Sequence, residues 1–159
     1  MLRQVEEWML PTEEKVPPRP LQPAAIAGFV GALLLFAIQL GMQTLARGGP
    51  PMGTLFATKI LHLQSMTALL VGAFLFCVAG ALWGVLYAAF VPKITILSGM
   101  AFGVLPWIVA MLIVLPIVGK SVFAGGDMKV VLGALLLNVL WGGFVAFLMP
   151  LLNQPRLTS

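Results

Sequence analysis

Four stretches of this chain, each more than twenty residues long, contain no Asp, Glu, Lys or Arg: 24–45, 62–90, 94–118 and 130–152. The hydrocarbon core of a bilayer is ~30 Å thick and a helix rises ~1.5 Å per residue, so about twenty apolar residues cross it. Lipid offers backbone N–H and C=O groups no partner, and a helix satisfies its own. The expected fold is therefore an all-α integral membrane protein, a bundle of four transmembrane helices. Composition agrees, at 60% hydrophobic and 9% charged, against about 25% charged in a soluble domain. The net charge of +4 is scattered, and no basic run is dense enough to engage nucleic acid. Cys77 is the one cysteine, so no intramolecular disulfide is expected.

The connections are legible as breaks. "RGGPPMG" at 47–53 cannot continue a helix, because glycine is flexible and proline lacks the N–H donor. "VPK" at 91–93 is so short that spans two and three must form a tight antiparallel hairpin. "GKSVFAGGDMK" at 119–129 joins spans three and four, and its Val122 and Phe123 predict a loop that dips back onto the membrane. Four spans put both termini on one side. That side carries Arg3, Lys15, Arg19, Lys93 and Arg156, and the other carries Arg47, Lys59, Lys120 and Lys129. Five against four, under the positive-inside rule, points to cytoplasmic termini in a bacterial inner membrane.

Ahead of the four-helix membrane domain (24–152) lies an arm, 1–23, and behind it a tail, 153–159. The first 22 residues mix charges and prolines without an apolar core region, so no cleavable signal peptide is expected. "MLRQVEEWML" suits a short amphipathic segment, and "PTEEKVPPRPLQP" has five prolines and suits an extended, polyproline-like one. Three readings are open: a disordered tail, a strap along a neighbouring subunit anchored by Trp8, or Trp8 resting at the headgroup zone.

Lipid tails are as apolar as leucine, so helices in a membrane associate where small residues let backbones come close. Gly80 and Gly84 in span two, and Gly99 and Gly103 in span three, each have the four-residue spacing that shares one helix face. The tight hairpin puts the two pairs at similar depth. Gly28, Gly31 and Gly41 in span one, and Gly133, Gly142 and Gly143 in span four, add more such positions. Close packing within the bundle is the plain expectation, with packing against another protein as the alternative. Pro106, near the middle of span three, removes one backbone hydrogen bond and predicts a bend.

His62 is the one histidine. A membrane b-type haem usually takes two, a metal centre needs further His, Cys or carboxylate ligands, and a proton relay needs ionisable stations across the membrane. No cofactor and no metal are expected. The strong polar side chains in the spans are Gln39, Gln43, His62, Gln64 and Asn138. Gln39 falls ~9 Å and Asn138 ~12 Å inside the face that holds the first and third loops, so these groups concentrate in one leaflet. They suit either interhelical hydrogen bonding or a shallow pocket for a quinone or lipid headgroup, with His62, Gln39 and Asn138 as contacts.

"GVLYAAF" at 84–90, "GMAFGVLPWIVAMLIVLPIVGKSVFAGG" at 99–126 and "LLLNVLWGGFVAFL" at 135–148 resemble a family of uncharacterised four-span bacterial membrane proteins, over about 81–148. The shared elements are a Gly-x3-Gly start, a run ending in Pro-x2-Gly, a Phe-containing loop and a small-residue last span. The family often has His where this chain has Asn138. The resemblance implies the four-span fold and no catalytic residues. The expected function is a non-catalytic accessory subunit of a larger membrane complex, of the respiratory or photosynthetic electron-transfer kind, with other membrane subunits and lipids as partners. The alternative is a small homo-oligomeric transporter or channel component. A stand-alone enzyme on lipids comes third, since paired acid and base groups are missing from the spans.

Overall fold

Pro23 sits in the first turn of helix α1 (Leu21–Thr44), where its missing N–H has no intrahelical partner to lose. The span therefore starts slightly earlier than the apolar run alone implies. The structure, a computed structural model, describes residues 21–45 and 49–153. Nearly the whole arm and most of the tail, with Trp8, lie outside the described residues.

Three further long helices follow: α3 (Ser65–Phe90), α4 (Ile96–Ile117) and α5 (Met128–Leu152). With α1 they are the four helices long and apolar enough to cross a membrane. Among the described residues no strand occurs. A short helix, α2 (Met52–Lys59), stands between α1 and α3 where the sequence suggests only a loop. Pro50 and Pro51 end the irregular stretch, and Pro51 forms the N-cap.

Each end has a local cause. Pro92 stops α3, because a residue before proline avoids helical backbone angles. Thr95 opens α4 with a capping box: its hydroxyl accepts the Ser98 N–H at 3.1 Å, and the Ser98 hydroxyl accepts the Thr95 N–H at 2.9 Å. At the far end of α4 the Lys120 N–H reaches Leu115 O at 2.9 Å and the Gly119 N–H reaches Pro116 O at 3.0 Å. That is a Schellman close, with Gly119 at a φ of 78° that only glycine adopts cheaply. Asp127 caps α5 by accepting the Lys129 N–H at 3.0 Å.

Helix α4 is not regular inside. It breaks at Gly103, one residue past Phe102, whose carbonyl loses its helical donor because Pro106 has no N–H. It then widens to a π-turn over Ala110–Val114, where the Leu115 N–H reaches back to Ala110 O, just before Pro116. The expected disturbance at Pro106 is therefore present, and Pro116 accompanies a second one.

Glycine seams hold the bundle. A Cβ at Gly28 would collide with the Gly80 carbonyl and lie 3.1 Å from the Gly84 Cα, so α1 and α3 touch backbone to backbone. A Cβ at Gly99 would collide with the Gly142 carbonyl, and one at Gly103 with the Asn138 carbonyl, which joins α4 to α5 the same way. Gly80/Gly84 and Gly99/Gly103 thus pack within the bundle, but on different partners rather than on each other. Gly53 of α2 meets Gly72 of α3 in a third seam. Between α1 and α5 the Trp141 ring fills the space over Gly31 and donates its Nε1–H to Gly28 O at 3.4 Å. The outward faces carry large apolar side chains such as Leu33, Leu70, Phe74, Leu97 and Leu136, as a lipid-facing surface requires.

Candidate functional site

Helices α3 and α4 are the loosest neighbours in the ring. They meet at the hairpin end, where Trp83 and Tyr87 pack on Phe102 with ring centroids 6.0 and 5.2 Å apart. Toward the other face they separate, and a cavity of about 950 Å³ opens among all four spans. Ligand cavities of this kind run to about 300–1,000 Å³. Its floor is Trp83, Gly80, Trp141 and Pro106, and its walls include Ala32 and Leu35 of α1, Ala110 and Met111 of α4, and Ala134 and Leu137 of α5. The π-turn lies in its wall, so the distortion of α4 shapes the space.

Exposed residues mark the rim: Gly49 and Pro50 on one side, Lys120, Ser121, Asp127 and Lys129 on the other. Helix α2 adds Met52, Gly53, Leu55 and Phe56 beside the rim. From Lys129 to Trp141 along α5 is about 18 Å, and from Met42 to Ala32 along α1 about 15 Å, at ~1.5 Å per residue. That is the depth of one leaflet of a ~30 Å hydrocarbon core. The space is only half enclosed, so lipid or water from the surroundings can enter it.

Gln39 and Asn138 both line this cavity; His62 does not. Gln39 Oε1 accepts the Met52 N–H at 3.1 Å and so caps α2 across the loop. Asn138 Nδ2 donates to Ala134 O, one turn back on its own helix, at 2.8 Å. His62 is exposed in the connector between α2 and α3, with a positive φ of 54°. The sequence placed it at the start of span two, but α3 begins only at Ser65. Gln43 and Gln64 are exposed near the same face.

Two polar features escape a reading by hydropathy. Tyr87, buried near the end of α3, places its hydroxyl 2.7 Å from Ser98 Oγ and donates to Thr95 O at 3.2 Å, tying the hairpin turn to the cap of α4. Trp107 of α4 donates its Nε1–H to Val131 O of α5 at 3.1 Å, and Phe123 packs on the same indole at 5.8 Å. The third loop thus folds back onto the bundle through Phe123. The signal for both was present, since buried Tyr and Trp need a partner for their polar end, but the partners are backbone atoms that sequence does not identify. Among the described residues no group of three or more His, Cys, Asp and Glu is placed to hold a metal ion. Comparison with protein-family models, with curated proteins and with solved structures finds no match in any of the three.

Proposed function

We propose that the protein is a non-catalytic accessory subunit of a larger bacterial membrane complex, with a respiratory or photosynthetic electron-transfer assembly as the parent. The observation that carries this reading is how the spans use their polar side chains. Gln39 caps a helix, Asn138 bonds its own helix, Trp107 and Trp141 donate to backbone carbonyls, and Tyr87 and Ser98 tie a turn. A proton relay or a reaction centre aims such groups at a substrate; here they are aimed at the backbone. The electron-transfer parent is argued by analogy with complexes that gather small helical subunits. The proline-rich arm fits the same reading as a strap on a neighbour, with Trp8 as its anchor.

The test is extraction in a mild detergent. An accessory subunit comes out with larger partners of different sequence, and deleting residues 1–20 weakens that co-purification while leaving the four spans inserted. A chain that runs alone, or only with copies of itself, refutes the proposal.

One observation favours the transporter alternative. The helix that lines the cavity most irregularly, α4, carries two prolines, a break and a π-turn, and discontinuous helices form substrate sites in many transporters. Solute flux into vesicles holding this chain alone, absent from empty vesicles, would decide for it.

A further inference from the structure

We propose that the cavity is a site for one anionic phospholipid of its own leaflet, with an acyl chain between the spans and the phosphodiester head at Lys120 and Lys129. This goes beyond the accessory-subunit reading and does not depend on it. Three observations carry it.

The first is depth. The apolar part runs from the rim to Trp83 and Trp141, about 15–18 Å by helix rise, and one leaflet of hydrocarbon measures about half of ~30 Å. A chain that enters sideways reaches the floor without leaving its own leaflet. The second is access. Helices α3 and α4 pack at the hairpin end and make few contacts beyond it, while both line the cavity, so the seam between them is the route by which a tail would enter from the bilayer. The third is charge. Lys120, Lys129 and Asp127 all line the cavity and are exposed at its rim. The Asp127 carboxylate already caps α5 by accepting the Lys129 N–H. Two ammonium groups against one carboxylate leave one net positive charge, the complement of a single phosphodiester. A choline or ethanolamine head would bring a further cation to the same rim. Because lipid tails and apolar walls are equivalent surroundings for a chain, selectivity must come from the head.

Native mass spectrometry tests this on the full chain, purified in mild detergent and exposed to vesicles of equal phosphatidylglycerol and phosphatidylcholine. We expect one phosphatidylglycerol retained per chain, preferred at least tenfold over phosphatidylcholine. Lys120→Glu with Lys129→Glu should bring that preference to within twofold, while Lys93→Glu, exposed on the opposite face, leaves it unchanged. Gly133 lines the cavity, and among the described residues nothing lies within 4 Å of a Cβ placed there. Gly133→Phe should therefore put a ring in the path of the acyl chain and weaken retention at unchanged helicity; Gly133→Leu serves in its place if the larger side chain disturbs folding. Equal retention of the two lipids by the unaltered chain, retention undiminished in the Gly133 variants, or a quinone held in place of the phospholipid would each overturn the proposal.

Discussion

Substituting Gly28 by alanine adds one methyl group to the seam between α1 and α3. That methyl would meet the Gly80 carbonyl, with the Gly80 carbonyl carbon at 3.0 Å and the Gly84 Cα at 3.1 Å. All three neighbours are backbone, so none can rotate away, and the helices must move apart. Overpacking costs ~1–3 kcal/mol, and a backbone-limited site belongs in the upper half of that range. Gly41 is the control: among the described residues nothing lies within 4 Å of its would-be Cβ. The helix-propensity gain of Gly→Ala, up to ~1 kcal/mol, applies equally to both and cancels in the comparison. Gly28→Ala should therefore be about 2–3 kcal/mol less stable than Gly41→Ala, a ratio of roughly 30- to 150-fold in the unfolding constant. Reversible unfolding of the purified chain by added denaturing detergent, followed by tryptophan fluorescence, measures this. Double-mutant cycles then test the pairing. Gly28→Ala with Gly80→Ala should be non-additive by more than ~0.5 kcal/mol, because the two share one contact. Gly80→Ala with Gly99→Ala should add, because these glycines lie on separate seams. A gap below ~0.5 kcal/mol between the single variants, or coupling between Gly80 and Gly99, would refute the arrangement.

Tyr87→Phe removes the hydroxyl that bridges Thr95 and Ser98, and should cost about 1 kcal/mol, seen as a melting point lower by ~2–4 °C; an unchanged melting point would mean that the turn is held without it. The Thr54 hydroxyl is buried without a hydrogen-bond partner among the described residues, so Thr54→Val should raise stability by about 1 kcal/mol in the same assay, and a loss would point to a partner for that hydroxyl. His62→Gly should be neutral or stabilising by about 1 kcal/mol, since glycine adopts a φ of 54° without strain; a destabilised variant would show that the imidazole makes a contact of its own.

The sequence by itself determined the number of spans, the fold class and the kind of packing. Span number follows from a one-dimensional comparison, the length of an uncharged apolar run against the thickness of a bilayer. The turn at Pro92 and the disturbance at Pro106 follow from the chemistry of the proline nitrogen, which acts wherever proline stands. Close glycine contacts follow from the absence of a hydrophobic force between helices in lipid. The tertiary structure alone decided which surfaces meet. These helices are apolar all round, so hydrophobic periodicity does not mark an inner face as it does in a soluble bundle. Hence the sequence set Gly80/Gly84 and Gly99/Gly103 at one depth, and only the rotation of each helix about its axis turned one pair to α1 and the other to α5. The same rotations brought Gln39 and Asn138 to one cavity and left His62 outside it. Helix α2 was hidden for a different reason. Its eight residues are too short to hold a helix alone, and it stands because Gln39 caps its first turn and Gly53 lets it lie against Gly72, two contacts from elsewhere in the chain.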